Sequence, residues 1–388
     1  MRVLQMCRRA VAVTILSASA ALFGQIAPAH AAAPGSLISE IAQPDGWRGT
    51  SGGSIVEYWM RGSDGTPRPA SGALFVPRGT APAAGWPIIA YDHGTTGLGM
   101  GCGGQSDPAG RPYPESRAKE DALIQGFLSR GFAVVAPDYL GLGRFNTGPH
   151  PYLETSTEAT ATLDLLHAAR AAHPELSRTW AVFGGSQGGQ AALATAHRQV
   201  TYAPDLDFRG TVAIDPESDV EKVLPLAGPL VPPLPDADGA MSFFVSILAG
   251  LRAAHPDVRV DQYLTPQGRA VLDSVGTLCL DRIGDRVRGL GVADLLDESL
   301  ATEPIRSALN EYLTVPTTGY NAPILLLLNV TDTVVPAPLH GALAAQFAAN
   351  GVDFQTVLGT GKHTQINPAM QSAIDAFLDR IKASPAER

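Results

Sequence analysis

Three residue types that together can make an acyl-transfer centre occur in this 388-residue chain at positions where they would be presented rather than packed away. Ser186 lies in Gly184-Gly185-Ser186-Gln187-Gly188-Gly189, between an apolar run at 180–183 and an alanine-rich stretch at 191–196. A serine hydroxyl is a weak nucleophile at neutral pH and needs a base with an acid behind it. Asp332 follows the apolar run 322–329, and His363 lies in Gly359-Thr360-Gly361-Lys362-His363-Thr364 after the run 352–358. An imidazole so placed would take the serine proton during attack on an acyl carbon and return it to the leaving group. The aspartate would fix the ring's tautomer and stabilise its charged form.

These side chains are useful only if the chain brings them together. A glycine-flanked serine is a weak signal alone, but a strand before it and a helix after it describe a tight elbow that projects the hydroxyl. Gly184 and Gly188 lack a Cβ, so the two elements can close around it. The runs 86–91, 132–136, 180–183, 208–214, 322–329 and 352–358 read as buried strands. They alternate with helices predicted at 116–130, 155–172, 338–350 and 370–381, and with one following Ser186. That rhythm calls for a mostly parallel sheet with helices on both faces, its chemistry at the C-terminal strand ends. His93, Ser186 and Asp215 all fall there. Residues 54–60 and 71–77 read as a strand pair around the turn Gly62-Ser63-Asp64-Gly65. Residues 32–53 read as a mobile lead-in.

The order Ser186, Asp332, His363, at intervals of 146 and 31 residues, is that of the α/β-hydrolases. Asp215 also ends a strand and is the rival acid; strand order favours Asp332. The oxyanion hole needs two N–H donors. Gln187, after the serine, supplies one, and Thr95, in the loop after 86–91, supplies the other, with its hydroxyl as a third. His93 shapes that loop. His167, His173 and His197 read as structural, and the sequon Asn329-Val330-Thr331 as chance. About a hundred residues from 217 form no sheet rhythm, far too many for a loop. The apolar stretch 241–253 and shorter helices to about 313 make them a mainly helical cap inserted late in the sheet. Phe243, Phe244 and Leu248 read as its core. The predicted division is a signal peptide at 1–31, sheet core at 32–216, cap at 217–320 and sheet core again at 321–388.

Residues 1–31 carry Arg2, Arg8 and Arg9, then an apolar run and Ala29-His30-Ala31, the pattern of a cleaved export signal. Its removal moves the formal charge from −9 to −12, which argues against nucleic acid as a partner. No later stretch resembles a transmembrane helix. Two cysteines remain, Cys102 and Cys279, which in an exported protein either pair or stay as buried thiols. No zinc motif is present, Asp236-Ala237-Asp238-Gly239 reads as a turn rather than a calcium loop, and no cofactor is called for.

Taken together the chain resembles the secretory lipase family of α/β-hydrolases, the lipase A type. The resemblance is carried by His93-Gly94-Thr95-Thr96-Gly97 with Cys102, by Pro137-Asp138-Tyr139-Leu140-Gly141-Leu142-Gly143, by His150-Pro151-Tyr152, and by Gly184 to Gly188, Asp332 and His363. It implies hydrolysis of carboxylic esters, a cap between nucleophile and acid, and a disulfide from the oxyanion loop to the cap, where Cys102 and Cys279 stand. Two positions depart from the family pattern: Gly185 replaces a larger residue, and Gly103-Gly104-Gln105 stands where Ala-Pro-Ser is expected. The expectation is a secreted, cofactor-independent serine hydrolase of acyl or lipid esters, with transient contact to a lipid interface through the cap. An acyltransferase or peptidase of the same fold is the alternative, and a non-catalytic binding protein a third.

Overall fold

The interior strands are rich in residues that fill both faces of a sheet, and among the described residues nine strands form one sheet. The computed structural model describes residues 32–383 except 45, 51, 110 and 233–237. The signal segment, and Asp236 and Ala237 of the candidate turn, lie outside the described residues.

The chain opens with β1 (Leu37–Ala42), β2 (Ser54–Arg61) and β3 (Pro67–Phe75), then β4 (Trp86–Asp92), α1 (Pro114–Ser129), β5 (Ala133–Pro137), α2 (Thr155–Ala172), β6 (Leu176–Gly185), α3 (Gln187–Tyr202) and β7 (Asp207–Ile214). The sheet order is β1-β2-β3-β5-β4-β6-β7, completed by β8 (Ile324–Asn329) and β9 (Phe354–Gly359). The first three strands and the β3–β5 contact are antiparallel; all later pairings are parallel. Residues 32–53 are therefore not a free lead-in, because β1 pairs with β2 from Leu37 to Ala42. An edge strand needs only one partner and buries little, so Leu-Ile-Ser-Glu-Ile-Ala lacks the continuous apolar signature of an interior strand.

Successive residues of each strand point to opposite faces. Ile88, Val135 and Val182 meet α2 and α3, whereas Ile89, Val134 and Phe183 meet α1 and the closing helix. Between β7 and β8 the described residues form the helical cap: α4 (Val220–Val223), α5 (Asp238–Ala254), α6 (Pro266–Val275), α7 (Leu280–Val287), α8 (Val292–Leu295) and α9 (Ile305–Leu313). The cap has a core of its own, including Val245, Leu248, Leu272, Ile283 and Leu309, into which Phe244 is buried and against which Phe243 packs. α5 lies close on the core, since a Cβ on Gly250 would stand 2.7 Å from the Tyr152 nitrogen. After β8 come α10 (Ala337–Ala349), β9 and α11 (Pro368–Ala383). Among the described residues no helix is long and apolar enough to cross a membrane.

β4 feeds β5 on one side while its other neighbour is β6. This reversal opens a crevice at the C-terminal ends of β4 and β6, where ligands bind in open α/β sheets. The Thr95 loop leaves β4 there, and Ser186 follows β6.

Candidate active site

Ser186 stands between β6 and α3 with φ +58° and ψ −125°, a backbone state that ordinary residues adopt only under constraint. The constraint is visible around it. A Cβ on Gly184 would lie 2.0 Å from the Gly188 carbonyl oxygen, and one on Gly188 would lie 2.0 Å from that of Asp92. Only glycine fits either place, which explains the spacing of the motif. The Ser186 N–H donates to Ile214 O at 2.9 Å, and its carbonyl accepts from Gly189 and Gln190. The elbow is thus held from both sides.

The loop after β9 brings His363 to the acid. His363 Nδ1 lies 2.5 Å from Asp332 Oδ2, and the Asp332 side chain is fully buried. Burial pushes Asp332 up, but the hydrogen bonds from His363 and the Val334 N–H, with the attraction of the imidazole, outweigh it and hold the carboxylate below its usual range. Asp332 Oδ1 also accepts from Val334 and Val335. The other ring nitrogen, His363 Nε2, is buried and makes no hydrogen bond among the described residues. It is the atom available to a hydroxyl. The elbow and this loop touch: a Cβ on Gly185 would stand 3.3 Å from Thr364 Cγ2. A larger residue before the serine would push against the histidine loop, which accounts for one departure from the family pattern.

Asp215, the rival acid, has different work. Its Oδ1 accepts from the Asn329 N–H, and its Oδ2 from Asn329 Nδ2 and the Thr364 N–H. It therefore clamps the end of β8 to the histidine loop. Asn329 is buried and spends its amide on Asp215 and Gln365 O, so the sequon lies where no glycan could attach. His340 of α10 was not signalled by the sequence, being one polar residue on an alanine-rich helix. Its Nε2 lies 3.3 Å from Asp332 Oδ2, and burial lowers it from the ordinary histidine value. Asp215, Asp332 and His340 bring ligand atoms within 4.8 Å of one another. Their oxygens already accept three or more hydrogen bonds each pair, so the cluster reads as an orienting network rather than a metal centre.

The Thr95 loop packs on the elbow, with Gly94 placed so that a Cβ would lie 4.0 Å from Ser186 Cβ. Thr95 Oγ1 is engaged by Tyr152 OH at 2.8 Å, so its hydroxyl is not simply a free third donor. Gln187 opens α3, and its N–H belongs to the group a helix leaves without internal partners. Its side chain is buried and anchored. His150 Nδ1 lies 2.9 Å from Leu140 O. Nδ1 therefore carries the proton there, and Nε2 accepts from Gln187 Nε2 at 2.8 Å. Gln187 Nε2 donates also to Glu158 Oε1 at 2.8 Å. Burial keeps His150 neutral, pushing it down to about 3, and raises Glu158 well above the carboxylate range. Sequence reasoning gave Glu158 no role, because a charged residue inside a helix pattern ordinarily faces water.

His93 shapes the loop as expected: Nδ1 lies 2.7 Å from Gly94 O, and Tyr139 OH donates to His93 O at 3.1 Å. Burial and the charge of Arg117 push it down to about 4. A disulfide joins Cys102 to Cys279. Beside it, Leu98 N–H donates to Leu278 O and Leu280 N–H to Thr96 O, both at 2.9 Å. The loop is stitched to the start of α7 through backbone as well as sulfur. Gly103 and Gln105 wrap Asp138, whose Oδ1 accepts from the Gln105 N–H at 2.7 Å. A Cβ on Gly103 would stand 2.6 Å from that oxygen.

A nine-stranded sheet among the described residues, with this elbow, a late cap and an acid–histidine pair at one rim, defines the α/β-hydrolase fold. Comparison agrees. The family model described as "Secretory lipase" matches residues 116–388. The chain belongs to the secretory lipase family. The crystal structure of Candida antarctica lipase A superposes with a TM-score of 0.73 at 19% identity, covering 92% of this chain and 84% of that one. The rice cell wall degrading esterase LipA from Xanthomonas oryzae gives 0.65 at 19% identity, covering 90% and 96%. A curated relative from Mycobacterium tuberculosis, named "Probable inactive lipase MT1628", is 23% identical over 312 residues, 74% of this chain. The match spans 64% of that relative's own length.

Proposed function

We propose that this chain is a secreted serine esterase that hydrolyses carboxylic esters of lipid or acyl type through an acyl-enzyme. Ser186 Oγ attacks the acyl carbon as His363 Nε2 takes its proton. The oxyanion is met by the backbone N–H groups of Gln187 and Thr95. His363 then protonates the departing alcohol, with Asp332 holding the ring. Water repeats the sequence, giving its proton to His363 and its oxygen to the acyl carbon, and Ser186 is freed. The observation that carries this reading is the 2.5 Å His363–Asp332 contact in a loop packed on the elbow, with Nε2 left unpaired. Ser186 and His363 share no hydrogen bond among the described residues, and such bonds tighten when substrate binds. Membership in a secretory family supports export, and we take 32–216, 217–320 and 321–388 as core, cap and core.

The test is turnover of p-nitrophenyl esters together with labelling by a fluorophosphonate probe. Wild type should do both, and Ser186→Ala should lose labelling and at least about a thousandfold in kcat. The relative named as inactive makes the labelling arm decisive: a wild-type chain that is not labelled is a non-catalytic member. Peptide anilides that turn over faster than esters would make it a peptidase. Product passing to an added alcohol rather than water would make it an acyltransferase.

A further inference from the structure

The loop after β4 and the elbow after β6 reach the surface at matching places. From Ile88 to Gly99 only Gly94 and Thr95 are partly exposed, and from Trp180 to Ala196 only Gly185 and Ser186 are. The two places meet. A Cβ on Gly94 would stand 3.6 Å from the Gly185 carbonyl oxygen and 4.0 Å from Ser186 Cβ. Thr95, the next residue, borders the opening over the serine.

Tyr152 stands behind Thr95. It is fully buried, and among the described residues its hydroxyl makes one hydrogen bond, with Thr95 Oγ1 at 2.8 Å. The distance leaves the direction of that bond open, and burial decides it. A phenol O–H shut away from water needs an acceptor, and Thr95 Oγ1 is the one beside it. Were the proton to run the other way, the phenol hydrogen would be buried with nothing to receive it. Tyr152 therefore donates and Thr95 accepts. Thr95 keeps its own hydrogen, and among the described residues no other group takes it. That hydrogen is left to the opening that Thr95 borders.

The phenol is fixed in place. The His150 N–H donates to Leu98 O and the Tyr152 N–H to His150 O, both at 2.8 Å. The Tyr152 ring stacks on Phe243 of the cap with centroids 6.5 Å apart. The same short segment reaches the other side of the hole, where His150 accepts from the Gln187 side chain. His150-Pro151-Tyr152 thus grips a side chain of each residue assigned an oxyanion N–H.

We propose that Tyr152 is a positioning residue for ester cleavage: by donating to Thr95 Oγ1 it turns the Thr95 O–H onto the oxyanion, as a third donor beside the two backbone N–H groups. This rests on the esterase reading above. A donor aimed where charge develops acts on the transition state and not on the bound ester. The experiment measures kcat and KM for p-nitrophenyl butyrate in wild type, Thr95→Val, Thr95→Ser, Tyr152→Phe and the double variant Tyr152→Phe with Thr95→Val. Thr95→Val should lower kcat about a hundredfold. Thr95→Ser, which keeps the hydroxyl, should lose clearly less. Tyr152→Phe keeps the ring and its packing, and should lower kcat about tenfold with KM within about twofold, the pattern of an interaction made only in the transition state. In the Thr95→Val background the same change should cost nothing further, because Tyr152 acts through that one oxygen. A tyrosine that only supports the fold would cost the same factor in both backgrounds. An equal loss in both backgrounds, a loss carried by KM, or a Thr95→Val or Tyr152→Phe variant as fast as wild type overturns this proposal and leaves the esterase reading standing. A wild-type chain that neither turns over the ester nor takes the fluorophosphonate label overturns both.

Discussion

At the scale of single residues, the two aspartates are the sharpest choice the molecule makes. Both end parallel strands, and both are buried. Asp332 spends one oxygen on His363, whereas Asp215 spends both on the backbone and amide that hold the histidine loop. Asp332→Asn should therefore lower kcat by about 10⁴-fold, because the histidine loses its tautomer partner, with little change in thermal midpoint. Asp215→Asn turns an acceptor into a donor facing Asn329 Nδ2 or Thr364 N–H, and should cost about 2 kcal/mol of stability with a smaller effect on kcat. Ester turnover and denaturant unfolding of the two variants separate the roles. If Asp215→Asn has the kinetic signature expected of Asp332→Asn, the assignment is reversed.

Among elements, the oxyanion loop depends least on its own sequence. The segment 94–98 has no regular structure of its own length and is held by what it touches: the elbow at Gly94, Tyr152 at Thr95, and the start of α7 through two backbone bonds and the disulfide. The cysteines are 177 residues apart. In the chain-entropy account, closing a loop of that length is worth ~5 kcal/mol. The double variant Cys102→Ser with Cys279→Ser should unfold at lower denaturant by an amount approaching that figure. Its kcat at 25 °C should stay within about twofold, because the backbone bonds from Leu98 and Leu280 persist. A large loss of kcat in a folded double variant would mean that the disulfide, not the backbone, sets the loop.

For the molecule as a whole, the number of buried acids that stay uncharged has a consequence for stability. Asp92 is fully buried under the elbow with Thr162 Oγ1 as its donor, and burial pushes it up to about 8. Glu217 is raised likewise, and Glu158 further. Each binds its proton more tightly folded than unfolded. The stability each adds is therefore complete below the ordinary carboxylate pKa and is lost as pH rises through the folded value. The buried histidines His93 and His150 oppose this only below about 6.5, where the unfolded chain takes up protons they refuse. Above that His173 and His255, raised by their carboxylate partners against the effect of burial, lose stability in the same direction as the acids, and each acid costs ~1.4 kcal/mol per pH unit up to its folded pKa. Denaturant midpoints should fall from pH 6.5 to 8, and Asp92→Asn should fall less steeply over the same range. Parallel slopes would show that Asp92 is ionised in the fold.

The strand–helix rhythm, the cap and the strand-end positions of Ser186, Asp332 and His363 were legible in the chain because each is local. Runs of apolar residues, the glycines at 184 and 188, and strand-end polar residues report their own surroundings. β1 was not, since an edge strand carries little apolar signal. Nor were the roles of Glu158, His150 and His340. Glu158 and His150 are defined by Gln187, 29 and 37 residues further along the polymer, and His340 by Asp332, eight residues back in a different element. A sequence records which residues can be charged. Which are buried together, and so which must stay neutral or find a partner, is decided only when the sheet closes and removes the water between them.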